Sequence, residues 1–339
     1  MTKKKIKYVI TYNTVAKNCK KYMYTYGSTK GIQIAIAKKG VAITVYQTVV
    51  QDKIEIITHK KALFSNAIKK AVLLYLLHNS KSLVVKTITV QIDDESETIA
   101  IEQYPESRVY SLIEGTLKVP LSRVWQEKSI VDRILPVTKP TADTLVPALF
   151  AYLCSKSKQY EAEKLLYQWM AFNGMYLYLL KSCGCGKNDD TSGIKKMQAV
   201  LGMGRGTICP DDRVKIAHEV AAILREYPWS IRHADLEDHT ELAKRITAVL
   251  RKKENKKPYH EISAYCYMLT QFPYYYRCKM VHANGALPLF NFGSDHELHC
   301  IKIANSLLEE FLDEYLPRWF NKDYFEANVL PIVKTEKQN

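Results

Sequence analysis

The sequence lacks a long uncharged apolar run, an internal repeat and a low-complexity tract. No segment reaches the roughly 18 uncharged apolar residues that a membrane-spanning helix needs. The N-terminal run Met1–Lys7 is basic, but no apolar core follows it as it does in a secretion signal. These absences argue against a membrane protein and against a repeat array, and we expect a soluble protein of the cytoplasm that has no membrane partner.

A framework of disulfide bonds is not indicated either. The eight cysteines are scattered, and several fall within apolar helical patterns, as reduced cysteines of cytosolic proteins do.

Tryptophan and phenylalanine are few, with 4 and 9 residues, whereas tyrosine is abundant, with 23. A buried tyrosine brings a hydroxyl that needs a hydrogen-bond partner, so much of the apolar surface carries a polar group.

The charge balance is strongly basic. Lysine and arginine total 49 against 35 aspartate and glutamate residues, which gives a formal net charge of +14 at pH 7. Such an excess attracts polyanions and speeds encounter with them, but it does not select one of them. Nucleic acid is therefore one interpretation, and a solvated basic surface is an equally good one.

The first part of the chain, residues 1–135, has the pattern of an α+β domain. Short runs rich in Ile, Val, Thr and Tyr indicate strands, and one longer run has helical periodicity. The predicted strands are Ile6–Tyr12, Gly31–Ala37, Val41–Val50, Lys53–Ile57, Leu83–Ile92 and Thr98–Ile101, and the predicted helix is Lys60–His78. The last two strands form a predicted hairpin around an acidic loop, residues 93–97. The role we assign to this domain is sensing, partner binding or assembly.

Residues 136–325 have the pattern of an all-α domain. Apolar residues recur at three- and four-residue intervals, as they do on helices with one buried face. The predicted helices are Leu145–Ser157, Gln159–Leu180, Asp211–Tyr227, Thr240–Lys252, His260–His282 and Asp295–Phe320. Between the second and the third, residues 181–210 are rich in Gly, Cys and Asp, and we predict an irregular insert there. The chain as a whole is predicted to be α+β, a mixed domain followed by a helical bundle.

The chemically most suggestive segment is the end of the fifth predicted helix, which carries Arg277 and His282. RNA cleavage by its own 2′-hydroxyl needs a group that accepts the hydroxyl proton and a group that protonates the leaving 5′-oxygen. It also needs positive charge at the phosphate. Histidine titrates near neutral pH, and arginine binds phosphate oxygens with two parallel N–H groups. Arg277 and His282 are therefore of the residue types that such a reaction would use.

The spacing of this pair constrains how it would work. Residues five positions apart on an ideal helix point about 140° away from each other, since each residue turns the helix by roughly 100°. Arg277 and His282 therefore converge only if the helix frays near Val281, or if each works with its counterpart from a second chain.

The arginine–four residues–histidine spacing resembles the motif of the HEPN family, with Tyr274–Tyr276 before it and Asn284 and a glycine after it. The resemblance covers residues 141–320. Within that range, Tyr160–Asn173 is similar to the first long helix of the family, and Asp295–Trp319 is similar to its last helix. The resemblance implies an antiparallel helical bundle and a dimer that joins two motifs in one cleft. It also implies metal-independent RNA cleavage that leaves a 2′,3′-cyclic phosphate.

On this resemblance Arg277 binds and stabilises the scissile phosphate, and His282 acts as general base or acid. The family commonly has a polar residue, often asparagine, directly after the arginine, where this chain has Cys278. The candidates for further substrate contacts are Asn284, Lys279 and Arg205.

The function that the resemblance implies is a toxin or anti-phage defence effector that cleaves RNA as a homodimer or higher homo-oligomer. A protein trigger or an antitoxin is the further partner expected for such an effector. The alternative is a catalytically silent HEPN module that binds RNA, a nucleotide or a partner protein and serves as a regulator or scaffold.

The irregular insert offers a weaker interpretation, a structural zinc site. Its ligands would be Cys183, Cys185 and Cys209 together with His218. Zinc sites usually space the first two cysteines by two to four residues, and here a single residue separates Cys183 from Cys185. Unligated loop cysteines are therefore favoured, and no cofactor is predicted.

Overall fold

The computed structural model describes part of the chain. The described residues are 4–11, 21–26, 30–37, 40–47, 87–92, 95–100, 144–184, 189–203, 211–229, 238–254, 262–282 and 295–335, with Ala71, Leu74 and Leu236. The chain divides into two compact units, Met1–Ala142 and Asp143–Asn339. The sequence places the boundary after residue 135.

The N-terminal unit contains a six-stranded antiparallel sheet. Its strands are β1 (Lys4–Thr11), β2 (Lys21–Tyr26), β3 (Lys30–Ala37), β4 (Gly40–Gln47), β5 (Thr87–Ile92) and β6 (Glu95–Ala100). Their order across the sheet is β2-β3-β4-β1-β5-β6. The first strand therefore lies inside the sheet, between β4 and β5.

Alternating branched residues explain why β3 and β4 pair in one register. Ile34 of β3 lies opposite Ile43 of β4, and both side chains are fully buried. Because successive strand residues point to opposite faces, a shift of one residue would move these apolar side chains to the other face. The buried set on these two strands is Ile32, Ile34, Ile36, Val41, Ile43 and Val45.

Two features of the sheet differ from the sequence prediction. Strand β2 is absent from the sequence prediction. Tyrosine stands at every second position of this strand, but a pair of lysines at its start hides the alternating pattern. Strand β6 begins at Glu95, inside the predicted acidic loop, because Glu95 pairs with Ile92 and the following residues continue that register. The predicted strand Lys53–Ile57 lies outside the described residues, and of the predicted helix Lys60–His78 only Ala71 and Leu74 are described, both helical and buried.

The C-terminal unit is helical throughout its described part. Its helices are α1 (Val146–Ser157), α2 (Glu161–Ser182), α3 (Asp190–Met203), α4 (Asp211–Glu226), α5 (His239–Glu254), α6 (Ile262–His282), α7 (Asp295–Phe320), α8 (Lys322–Asn328) and α9 (Leu330–Thr335). A helix stands at each of the six predicted ranges, and the chain is α+β as predicted. No helix within the described ranges combines the length and apolar character needed to cross a membrane.

The prediction of irregular structure for residues 181–210 is wrong for about half of them, because α3 occupies Asp190–Met203. The side chain of Asp189 accepts a hydrogen bond from the Ser192 amide at 2.7 Å, as a residue that caps a helix does. The apolar residues Ile194, Met197, Val200 and Leu201 are buried. The glycines and cysteines around α3 masked this short apolar pattern in the sequence.

Helix α2 packs against α1, α3, α6 and α7, and aromatic rings form the contacts at its centre. Trp169 stacks on Tyr274 of α6 with ring centroids 5.2 Å apart. Phe172 meets Phe311 of α7 edge to face at 5.5 Å. Edge-to-face and offset pairs at these distances stabilise more than their buried area alone accounts for.

A buried charge network joins α1, α2 and α7. The ammonium group of Lys156, whose side chain is 4% exposed, lies 2.5 Å from Glu309 and 3.2 Å from Asp313. Lys164 of α2 also pairs with Glu309 at 2.5 Å, and Tyr152 donates a hydrogen bond to Asp313. A buried charge is tolerated only when it is paired, so this network fixes the packing of the three helices.

We expect Lys156→Met to lower the free energy of unfolding by about 3 kcal/mol, because it leaves two carboxylates without their shared buried cation. Urea denaturation followed by circular dichroism measures the change. Lys244→Met is the matched control, since Lys244 pairs with Glu241 on the exposed face of α5 and its loss should change stability little. Equal destabilisation by both variants would contradict a special role for the buried network.

The network also predicts a dependence of stability on pH. Burial acts to raise the pKa of Glu309, but hydrogen bonds from Lys156 and Lys164 outweigh burial and hold it below its ordinary value of 4.5. Because the folded-state pKa is the lower one, Glu309 contributes stability above pH 4.5, and that contribution is lost as the pH falls through the folded-state pKa. Glu309→Gln should therefore be less stable than the wild type at pH 7, with a smaller difference at pH 3, as measured by thermal unfolding. A difference that is constant with pH would contradict this assignment.

Candidate functional site

Helix α6 carries the predicted catalytic pair, and its backbone stays helical from Ile262 to His282. It does not fray near Val281. On a continuous helix, positions 277 and 282 lie about 140° apart around the axis. Of the two ways for the pair to converge, only a contribution from a second chain is compatible with this helix. The His282 side chain lies outside the described residues.

Arg277 is half-buried and contacts residues of its own helix. Its guanidinium carbon lies 5.9 Å from the centroid of the Tyr274 ring. Its Nη1 donates a hydrogen bond to the sulfur of Cys278 at 3.7 Å. The Tyr274 ring in turn stacks on Trp169, so the guanidinium lies next to the aromatic contact between α2 and α6. The guanidinium therefore sits at the border between the core and the surface.

Cys278 is fully buried next to Arg277. Burial raises the pKa of the Cys278 thiol, and hydrogen bonds from Arg277 and Tyr274 act against that rise. A thiol with a raised pKa stays protonated at neutral pH and is a poor nucleophile. Cys278 thus serves as a weak acceptor for the arginine.

Sequence reasoning missed two polar residues on neighbouring helices. Tyr176 of α2 donates a hydrogen bond to the Oδ1 atom of Asp190, the first residue of α3. Burial raises the pKa of Tyr176 above its usual range, the hydrogen bond and charge of Asp190 add to the rise, and the positive charge of Arg277 opposes it.

The signal for these two residues was present in the sequence but incomplete. A buried tyrosine hydroxyl needs a partner, and 23 tyrosines supply many such hydroxyls. The sequence places Tyr176 within the predicted helix Gln159–Leu180 and Asp190 within the predicted irregular insert. Only the packing of α3 against α2 identifies Asp190 as the partner.

Glycine at position 193 makes this packing possible. A Cβ atom at Gly193 would lie 2.2 Å from Cδ2 of the Tyr176 ring, which is far inside van der Waals contact. The ring therefore occupies the space that a side chain would need. Gly193 stands one turn after Asp190, so the same close approach brings the Asp190 carboxylate to the Tyr176 hydroxyl.

The predicted substrate-contacting residues are not brought together by the described part of the structure. Lys279 forms an ion pair with Glu297 of α7, whereas the guanidinium of Arg277 lies over the ring of Tyr274 on its own helix. Arg205 and Asn284 lie outside the described residues.

The predicted zinc ligands are only partly described. Cys183 follows the last residue of α2 and is half-buried, and His218 lies exposed on α4. Cys185 and Cys209 lie outside the described residues. Within the residues that are described, no group of three or more His, Cys, Asp or Glu side chains has the placement to hold a metal ion.

Comparison with known proteins gives this chain no relatives. No protein-family model, no curated protein and no solved structure matches it significantly. The geometry around Arg277 is thus the basis on which a function is proposed.

We expect Gly193→Ala to destabilise the helical unit by about 1–3 kcal/mol, the usual range when an extra methyl group is forced into a packed core. The clash with the buried Tyr176 ring must push α3 away from α2. Urea denaturation measures the loss, and Lys195→Ala, at an exposed position of the same helix, is the control. Because alanine favours helix over glycine, a stability equal to or above that of the wild type would contradict the close approach.

Proposed function

We propose that the C-terminal unit is a metal-independent endoribonuclease of the HEPN type. The observation that carries the proposal is the placement of Arg277, half-buried on a continuous helix that ends at His282. The helical character of the described residues between 144 and 335 agrees with the bundle that this family would require. A permanently charged guanidinium at the edge of the core is suited to phosphate oxygens.

In the proposed reaction, the 2′-oxygen of one nucleotide attacks the adjacent phosphorus, and the bond from phosphorus to the 5′-oxygen breaks. The products are a 2′,3′-cyclic phosphate and a free 5′-hydroxyl. One histidine accepts the proton of the 2′-hydroxyl, and a protonated histidine donates a proton to the leaving 5′-oxygen. Arg277 stabilises the negative charge that develops on the phosphate.

The proposed active unit is a homodimer, because one chain offers one Arg277 and one His282 on diverging sides of α6. Two chains whose α6 ends meet would supply two histidines, one as base and one as acid.

The proposed biological role is that of a toxin or anti-phage defence effector. It rests on the resemblance of the arginine–histidine motif to the HEPN family. In this proposal the N-terminal sheet unit senses a trigger, binds an antitoxin or another partner protein, or supports assembly.

The second candidate is a catalytically silent module that binds RNA, a nucleotide or a protein. Cys278 favours it, because the buried thiol accepts a hydrogen bond from Arg277 at a position where a stronger polar group would be expected. Such a module would bind RNA through Arg277 and leave the RNA intact.

Digestion of RNA by the purified full chain separates the two candidates. We expect cleavage that persists in EDTA, leaves a cyclic phosphate, and rises more steeply than linearly with protein concentration. Arg277→Ala and His282→Ala should each reduce the rate by a factor on the order of 100 or more, the range for loss of a group that stabilises charge or transfers a proton.

The matched control is Arg318→Ala, which removes an arginine from the other end of the bundle, where it pairs with Glu314. It should leave the rate unchanged. RNA that is bound but stays intact under dimeric conditions would favour the silent module. Cleavage that is equal in all three variants would point to a contaminating nuclease and contradict the proposal.

A further inference from the structure

The positive charge of this protein is concentrated in the unit that the proposed reaction does not use. Met1–Ala142 contains 23 lysine and arginine residues against 11 aspartate and glutamate residues, a net charge of +12 (23 minus 11). Asp143–Asn339 contains 26 against 24, a net charge of +2 (26 minus 24). An excess of charge attracts polyanions, and nearly all of the excess lies in the unit that contains the six-stranded sheet.

The sheet has one buried face and one face that is accessible to solvent. Apolar residues such as Ile34 and Ile43 lie on the buried face and alternate along the strands with residues of the other face. Lys7 belongs to that other face, because it pairs with Thr44 of β4 and with Gln91 of β5, and each of these follows a buried residue. The Lys7 side chain is exposed although β1 lies inside the sheet. The centre of this face is therefore open.

Small and uncharged polar residues surround Lys7 in two rows that cross the strands. The first row pairs in register from β3 to β6 and consists of Gln33, Thr44, Lys7, Gln91 and Ser96. The second row is the next one along the strands and consists of Lys21, Ala35, Ala42, Val9, Thr89 and Thr98. We call the side of the sheet that carries these residues the open face.

The charged side chains described on the open face are lysines. Lys7 and Lys21 are both exposed, and no carboxylate stands among the described side chains of this face. Glu97 of β6 is also exposed, but it is the partner of buried Val90 and therefore lies on the opposite face. A lysine on an edge strand such as β2 blocks pairing with another sheet. Lys7 stands on an inner strand, where that explanation does not apply.

We propose that the open face binds RNA through its sugar–phosphate backbone, with Lys7 at the centre of the contact. A polar outer face is ordinary in an antiparallel sheet, but charge of one sign within a unit of net charge +12 complements a polyanion. Lysine contacts phosphate oxygens, and threonine, serine and glutamine side chains form hydrogen bonds to phosphate and sugar. The 2′-hydroxyl both donates and accepts a hydrogen bond, which suits such partners and favours RNA over DNA.

The apolar side chains described on the open face are small, namely Ala35, Ala42 and Val9. A protein partner would find little apolar surface to bury there, because the core of a protein interface is rich in large apolar and aromatic residues. Six strands about 4.8 Å apart make the face about 24 Å wide, which spans several nucleotides at about 3.4 Å each. The width and the chemistry of the face both suit a nucleic acid strand.

This inference goes beyond the proposed function, which places RNA contacts only in the C-terminal unit. The N-terminal unit supplies affinity without chemistry, and without a choice of sequence, because contacts to the backbone carry no sequence information. RNA binding by the open face does not depend on whether the C-terminal unit cleaves RNA. If it does cleave, the sheet is a surface by which the chain holds its substrate.

The first arm of the test measures how RNA binding to the full chain depends on salt. Every chain carries His282→Ala, so that the RNA remains intact, and fluorescence anisotropy gives Kd for a labelled single-stranded RNA at several salt concentrations. The slope of log Kd against log salt concentration rises by about 0.7 for each phosphate that is neutralised on a single strand. We therefore expect Lys7→Gln to weaken binding and to lower the slope by about 0.7. The control is Lys302→Gln, at an exposed position of α7, which should leave the slope unchanged.

The second arm adds a negative charge on the edge strand β6, where a substitution does not disturb the core. Ser96→Glu places a carboxylate on the open face opposite Gln91 and should raise Kd several-fold. Glu97→Gln changes the net charge by the same amount on the opposite face of the same strand, and it should change Kd little. A DNA strand of the same sequence should bind more weakly than the RNA. Circular dichroism and thermal unfolding check that each variant is folded.

The outcomes keep this inference apart from the proposed function. It would be overturned if Lys7→Gln kept the slope of its parent chain, if Ser96→Glu kept the Kd, or if DNA bound as tightly as RNA. A chain that binds no RNA would also overturn it and would leave a protein partner for the open face. RNA binding that depends on the sheet, without cleavage by the wild type, would support the inference and overturn the ribonuclease. Cleavage that is lost in Arg277→Ala, with RNA binding that is unaffected by the sheet variants, would do the opposite.

Discussion

Trp169 of α2 and Tyr274 of α6 stack with their ring centroids 5.2 Å apart, and the two residues are 2% and 1% exposed. Tyr274 stands one turn before Arg277. The contact therefore fixes both the position of α6 along its axis and its rotation about that axis at the end that carries the predicted site. The same tyrosine ring lies under the guanidinium. A change in how α2 packs on α6 would therefore move Arg277 directly. Helix α3 contacts α2 at the Tyr176 ring, and α7 contacts α2 through the edge-to-face pair of Phe172 and Phe311.

The charged network of α1, α2 and α7 also fixes how helices pack on one another, through ion pairs instead of ring contacts. Apolar rings tolerate small rotations, whereas a buried ammonium between two carboxylates has few acceptable positions. Lys156, Glu309 and Asp313 thus fix the relative register of α1 and α7, and Lys164 ties α2 to the same glutamate. Helix α2 is held at its beginning by charge and at its middle by aromatic packing. It is the reference against which α6 and Arg277 are placed.

The continuity of α6 has the largest effect on the interpretation of the motif. A spacing of five residues is compatible with a self-contained pair only where the helix ends early, and α6 ends at His282. The constraint makes a two-chain site a geometric requirement of the proposed chemistry. The groups that one chain does place beside Arg277 are the Cys278 thiol and the Tyr274 ring, both on the same helix.

The sequence alone was enough to predict the class of the fold and six helices of the second unit, because a buried helix face repeats every three to four residues and that repeat is local. It also singled out Arg277 and His282, the two residues of the proposed chemistry. It did not determine α3, since a short helix with a glycine in it is stable here through its contacts with α2 and α6. For the same reason it did not reveal Asp190 as the partner of the Tyr176 hydroxyl, because the two residues meet only where α3 packs on α2. Local periodicity is a property of neighbouring residues, whereas a partner for a buried hydroxyl is decided by which helices touch, and only the tertiary structure contains that information.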